Sequence, residues 1–267
     1  MSKDIWSTIL REARLISGEE ERLRVLINET ILNQEDLGAC LAYRLAWKFG
    51  DGSISVLGCH QLFLEIVAAD PSIALSAAAD LHAIRERDPA TPNLVIPLLY
   101  FKGYLALQAS RISHHLWTSG RHTLASHLQS RCSEVFGVDI HPGARFGKGI
   151  FLDHATGFVA GETAVVGDNV SILHEVTLGG SGKQCGDRHP KVGNGVLIGA
   201  GAKLLGNIHI GDGAKIGAGS VVLEDVEAHT TVVGVPARQV GRERHRMPAR
   251  FMDHGLACDE AAELEGE

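Results

Sequence analysis

The stretch Val138-Asp139-Ile140-His141-Pro142-Gly143-Ala144-Arg145-Phe146-Gly147-Lys148-Gly149-Ile150-Phe151-Leu152 opens a rhythm of six that runs to Val222. A small apolar residue or Phe stands at Ile140, Phe146, Leu152, Phe158, Ala164, Val170 and Val176. After one break the count resumes at Val192, Ile198, Leu204, Ile210, Ile216 and Val222. Glycines follow several of these positions, as in Ile198-Gly199, Ile210-Gly211 and Ile216-Gly217. A period of six matches neither a helix face nor a flat strand. It matches a short strand and a tight turn, repeated, with the apolar residue pointing inward. Glycine suits the turns because it reaches positive φ without steric cost. Three such units, about 18 residues, close a triangular coil, and the coils stack into a parallel β-helix.

Residues 1 to about 135 read differently. Ile5, Ile9, Leu10 and Ala13, then Leu37, Leu41, Leu45 and Ala46, recur at helical spacing. Asp70-Pro71 and Asp80 read as helix starts. The two prolines of Asp88-Pro89-Ala90-Thr91-Pro92 make that segment a loop. A further helix is expected from about Pro97 to Ser119. The chain thus divides into a helical domain over 1–137, a β-helix over 138–240 and a polar tail over 241–267.

The β-helix phase breaks between Val176 and Val192, a gap that is not a multiple of six. Gly179-Gly180-Ser181-Gly182-Lys183-Gln184-Cys185-Gly186-Asp187-Arg188-His189-Pro190 must therefore leave the coil as a loop. A β-helix tolerates an ejected loop without function, but loops on rigid scaffolds often carry chemistry. The clustering of Lys, Asp, Arg and His here favours the second reading.

Within the repeat, His154 follows Asp153, and a stacking offset of 18 sets Gly157 above Asp139. That places His154 three residues along the neighbouring coil from Asp139, with adjacent coils about 4.8 Å apart as paired strands are. A carboxylate beside an imidazole is what a general base requires; a surface histidine is the other reading. His141, His174, His209 and His229 raise the idea of zinc held between subunits, but no two show a tight ligand spacing, so no metal is expected.

Composition bounds the rest. At 267 residues, with 45% hydrophobic and 21% charged content, the chain can bury a real core and reads as a soluble globular protein. A net charge of −7 argues against nucleic-acid binding. Five scattered cysteines without a C-x-x-C pair favour reduced thiols in the cytoplasm over a disulfide framework. The start Met-Ser-Lys-Asp-Ile-Trp lacks the apolar run of a signal peptide. Pro97 to Trp117, the most apolar stretch, is interrupted by Lys102, Arg111 and His114, so no membrane span is expected.

Asp88-Pro89-Ala90, Val138-Asp139-Ile140-His141-Pro142, Leu152-Asp153-His154-Ala155-Thr156-Gly157, Val176-Thr177-Leu178-Gly179-Gly180, Gly186-Asp187-Arg188-His189-Pro190 and Gly234-Val235-Pro236-Ala237-Arg238 together resemble the serine O-acetyltransferase family over nearly the whole chain. Glycine-rich hexads alone would indicate only some hexapeptide acyltransferase, with homoserine or a sugar as a possible acceptor.

The resemblance implies an α+β architecture, an all-α domain followed by a left-handed parallel β-helix. It implies acetyl transfer from acetyl-CoA, as co-substrate, to L-serine in the first step of cysteine synthesis, with feedback inhibition by L-cysteine. By similarity, His154 is the general base and Asp139 orients it. Asp88, with Pro89 in the same loop, and Asp153 suit the serine ammonium. Arg188 suits the carboxylate, and His189 lines the pocket or steadies the tetrahedral intermediate. Gly180, Ala200 and Ala218 suit the pantetheine arm, though Ala200 and Ala218 also read as tight-turn residues. Lys215 and Arg238 are candidates for the nucleotide phosphates. Homotrimers with sites between subunits, paired into a hexamer as a dimer of trimers, are implied as well. Family members that bind O-acetylserine sulfhydrylase end in isoleucine, whereas this chain ends Leu264-Glu265-Gly266-Glu267, which speaks against that complex.

Overall fold

Each N-terminal helix turns one apolar face inward, and the core follows from those faces. The computed structural model describes residues 2–182, 185–243 and 247–255. Lys183, Gln184, Arg244, Arg246, Cys258 and the terminal Leu264–Glu267 lie outside the described residues, with most of the polar tail. The helices are α1 (Ser2–Glu19), α2 (Arg24–Ile27), α3 (Leu37–Phe49), α4 (Val56–Ala69), α5 (Ser72–Arg87), α6 (Val95–Tyr100), α7 (Lys102–Thr118) and α8 (His122–Phe136). Ile5, Ile9 and Ala13 of α1 and Leu37, Leu41 and Leu45 of α3 are buried, as their spacing predicts. Asp36 and Ser55 cap α3 and α4, each accepting from the backbone N–H three residues on. The helix expected from Pro97 is two helices, broken at the extended Phe101.

Asp80 starts no helix. It lies inside α5, fully buried, and its carboxylate fastens the helices to the β-helix. One oxygen accepts from Gln108 Nε2 (3.0 Å) and Arg111 Nη1 (2.5 Å), the other from the Ile150 backbone N–H (2.9 Å). Arg111 also donates to Gly147 O at 2.7 Å.

The coils contain β1 (Val138–Ile140), β2 (Arg145–Phe146), β3 (Phe151–Leu152), β4 (Phe158–Ala160), β5 (Val165–Val166), β6 (Ser171–Ile172), β7 (Thr177–Gly179), β8 (Lys191–Val192), β9 (Leu197–Ile198), β10 (Lys203–Leu205), β11 (His209–Ile210), β12 (Lys215–Ile216) and β13 (Val221–Val222). The hairpin β14 (Thr230–Gly234) and β15 (Ala237–Arg242) and the short α9 (Pro248–Phe251) follow. Three parallel faces result: β1-β4-β7-β10-β13, β2-β5-β8-β11, and β3-β6-β9-β12-β14, the last extended antiparallel by β15. The winding is a left-handed β-helix, against the usual right-handed crossover.

The register corrects the uniform count. Asp139 pairs with Val159, an offset of 20 residues, and Gly157 stacks over Gly137 instead. Val159 to Thr177 is 18, Thr177 to Lys203 is 26, and Lys203 to Val221 is 18. Most hexads bury two apolar residues two apart, as with Val138 and Ile140 or Phe158 and Ala160. The rhythm read from sequence begins on the second of these and slides to the first at Phe158. Two additional residues between Leu152 and Phe158 are thereby hidden.

At the edge between the second and third faces, Asp168 Oδ1 accepts from Lys148 N (2.9 Å), Asn194 Oδ1 from Asp168 N (2.8 Å) and Asp212 Oδ1 from Asn194 N (2.7 Å). This polar ladder satisfies backbone donors where the strands turn.

Removing one partner of a buried ion pair leaves the other uncompensated, at about 3–5 kcal/mol. Asp80→Asn is therefore expected to lower the thermal unfolding midpoint sharply. An unchanged midpoint would mean that Asp80 does not fasten the two parts.

Candidate active site

The two residues hidden in the count lie at the edge where the third face turns into the first. His154 (φ 54°) and Ala155 (φ 58°) both adopt left-handed backbone conformations there, which few non-glycine residues do. The chain bulges, and the His154 side chain is 73% exposed. Gly103, at the start of α7, lies flush against this bulge; a Cβ there would sit 2.0 Å from Leu152 O.

His154 Nε2 is 3.6 Å from Asp153 Oδ2, and its ring meets His174 edge-on at 5.9 Å. His154 and Asp153 open on a cavity of about 500 Å³ lined also by Asp88, Tyr100, Phe101 and Lys102. Asp88 ends α5 because the following Pro89 disfavours helix. Its carboxylate closes the loop by accepting from Ala90 N (2.8 Å) and Thr91 Oγ1 (2.6 Å). Burial raises the Asp153 pKa above the usual carboxylate value; the His154 imidazole pulls it down, and the Asp88 charge raises it further. Asp88 and Asp153 thus give this cavity two carboxylates and a negative potential.

Two residues past Leu152, Ile172, Ile198 and Ile216, which stack in register, stand His154, His174, Ala200 and Ala218. Ala200 and Ala218 therefore extend a line of small side chains from the histidine along one edge.

A second cluster occupies the edge between the first and second faces. Leu178 to Val192 spans eight residues beyond a hexad, and the ejected loop returns as Arg188-His189. Arg188 Nη2 pairs with Glu162 Oε2 at 2.8 Å, and the Arg188 hydrogen bond holds the Glu162 carboxyl below its ordinary value. The His189 ring lies over Gly161, where a Cβ would meet Nε2 at 1.9 Å, and beside Gly180. Burial first, then the charges of Arg188 and Lys191, lowers the His189 pKa and so favours the neutral ring.

No hydrogen bond or ion pair among the described residues joins the two clusters. The three-residue strand β4 separates them, about 10 Å of extended chain. Asp139 lies on that face and accepts from Gln129 Nε2 at 2.7 Å; no hydrogen bond or ion pair joins it to His154 within the chain. Gly180 belongs to the second edge, apart from Ala200 and Ala218. Lys215 is 5% exposed, donates to Gly255 O (2.5 Å) and lies 3.9 Å from Glu243, so it presents no free ammonium to a phosphate. Arg238 is exposed on β15, at the far end of the β-helix.

Sequence reasoning missed Glu162, Thr163, Lys191 and Lys102. Lys191 Nζ gathers Thr163 O, His189 O and Asp187 Oδ1, and Lys102 donates to Thr156 Oγ1. Counting the loop as eight residues would set Lys191 beside Val165 and so expose the first group. Nothing in the sequence announces Lys102.

A left-handed coil of hexads with a histidine at a bulged edge and an ejected loop defines a hexapeptide-repeat acyltransferase. The family description "Bacterial transferase hexapeptide (six repeats)" matches residues 189–224, and "Serine acetyltransferase, N-terminal" matches residues 5–109. The serine acetyltransferase of Salmonella typhimurium is 53% identical over 249 residues, 93% of this chain and 91% of the relative. Three solved structures are similar throughout. A serine acetyltransferase complex with cysteine has a TM-score of 0.94 and 47% identity, covering 96% of this chain and 100% of that one. The Neisseria gonorrhoeae enzyme in complex with serine has 0.86 and 55%, covering 88% and 96%. The Brucella abortus enzyme in complex with coenzyme A has 0.88 and 49%, covering 90% and 96%. The chain belongs to the serine acetyltransferase family.

A methyl group on Gly161 cannot coexist with the present His189 ring. Gly161→Ala is expected to displace His189 and cut turnover about 100-fold, with the circular dichroism spectrum unchanged. Wild-type turnover in that variant would remove His189 from the active site.

Proposed function

We propose that this chain transfers the acetyl group of acetyl-CoA to the hydroxyl of L-serine, giving O-acetyl-L-serine and CoA, where the first edge of one copy meets the second edge of another. The observation that carries this reading is the pairing of an exposed His154 with two carboxylates around one cavity. Asp88 and Asp153 take the serine ammonium. Arg188 and His189, from the adjacent copy, take the carboxylate end and the reacting oxygen.

His154 removes the hydroxyl proton as the oxygen attacks the thioester carbonyl. The C–S bond then breaks, and the thiolate leaves with a proton returned from His154. Asp139 orients His154 across the interface between copies, since within its own chain Gln129 holds it. The pantetheine arm lies between Ala200 and Ala218 on one side and Gly180 on the other, and Arg238 meets the nucleotide end. The similar structures bound to serine and coenzyme A support both substrates, and the one bound to cysteine supports feedback inhibition by L-cysteine at the serine site.

A site divided between two edges supports assembly as trimers. The exposed Trp47 of α3 and Leu57 and Leu64 of α4 offer the helical domain an apolar face through which two trimers pair into a hexamer. The four described cysteines are free thiols, which suits a cytoplasmic enzyme.

CoA release from acetyl-CoA tests the reading. It is expected with L-serine, at background with L-homoserine or no acceptor, and suppressed by L-cysteine. Release with homoserine alone would overturn the acceptor. His154→Ala is expected to lose about 10²- to 10⁴-fold in turnover, the usual worth of a general base; near-normal turnover would remove that role.

Complementation tests the divided site. His154→Ala and His189→Ala copies, each nearly inactive alone, are expected to regain activity when refolded together, because some interfaces then carry both intact histidines. No recovery in verified mixed oligomers would put the site within one chain.

A further inference from the structure

The ring of His189 is fixed by one residue that the proposed chemistry does not use. Thr163 faces His189 Nδ1 with two groups, its backbone N at 3.2 Å and its Oγ1 at 2.8 Å. A backbone N–H can only donate. Nδ1 must therefore present its lone pair, and in the neutral ring the proton sits on Nε2. The Thr163 hydroxyl oxygen meanwhile accepts from the backbone N–H groups of Arg188 (3.0 Å) and His189 (3.1 Å). Both acceptor directions are thus occupied, and its own proton is available to Nδ1. The Asp187 carboxylate also draws on that hydroxyl, but the backbone N–H alone already dictates the tautomer.

The surroundings hold this arrangement still. Lys191 Nζ donates to Thr163 O at 2.9 Å and to His189 O at 2.7 Å, clasping the two residues together. Among the described residues Nε2 makes no hydrogen bond, and it looks out over Gly161 and Gly180.

We propose that Thr163 is a positioning residue that locks His189 as the Nε2–H tautomer, so that His189 meets substrate as a neutral hydrogen-bond donor and not as a base. This rests on His189 belonging to the acetyl-transfer site. It gives the two histidines opposite tasks. His154, exposed and unclasped, serves as the base, while His189 keeps one proton in one place for an oxygen of the substrate or of the tetrahedral intermediate.

Neutron diffraction from deuterium-exchanged crystals of the full-length enzyme reads the tautomer directly. A deuteron on Nε2 alone is the expected result; a deuteron on Nδ1, or on both nitrogens, would overturn the proposal. Kinetics separate this from the underlying assignment. A glutamine amide can reach the position of Nε2, so His189→Gln is expected to stay within about tenfold of wild type, while His189→Ala loses about 10²- to 10³-fold in kcat/KM. Glutamine no better than alanine would count against the donor role. Wild-type activity in His189→Ala would instead remove His189 from the site. Thr163→Ser is expected to retain activity and Thr163→Val to lose about 10- to 100-fold, as partners that orient a histidine typically cost, with KM for acetyl-CoA unchanged. Equal activity of the valine variant would remove the positioning role.

Discussion

Stacked coils cannot hold an additional residue inside a face. Every strand position is committed to a neighbour above and below, and moving one residue would turn an apolar side chain outward along the whole strand. Surplus chain can leave only at an edge. In this protein it leaves twice: two residues at His154-Ala155, and eight in the loop that returns as Arg188-His189. Both departures bring the candidate site residues to an edge. The surrounding faces hold what the extruded segments present, with Gly103 pressed against one and Gly161 lying beneath the other.

The two clusters differ in how they are held. His154 is exposed and has a carboxylate at 3.6 Å and a histidine ring beside it. His189 is 7% exposed and bonded at Nδ1, and its backbone is clasped by Thr163 and Lys191. A group that shuttles a proton benefits from solvent and from alternatives. A group that only donates benefits from having none. The difference in burial thus matches the division of labour proposed for these two histidines.

The period of six in the sequence announced the coil, and the break before Val192 announced the loop. Helical spacing placed α1 and α3. The family's motifs located both clusters, yet the relation between them was out of reach. Because most hexads bury two apolar positions, a slip of two residues leaves the period intact, and Asp139 was aligned with Gly157 when its neighbour is Val159. Asp80 read as a helix start because a lone aspartate before an apolar run resembles a cap. Its partners, Arg111 and the Ile150 N–H, are distant in sequence, so nothing local marks it as buried. Lys215 read as a phosphate ligand for the same reason: its partners Gly255 and Glu243 come from the chain that folds back over it.

The third edge has neither bulge nor loop. There the polar side chains of Asp168, Asn194 and Asp212 stitch one coil to the next. One edge is thus given to cohesion between coils, and the other two to the segments the coils extrude.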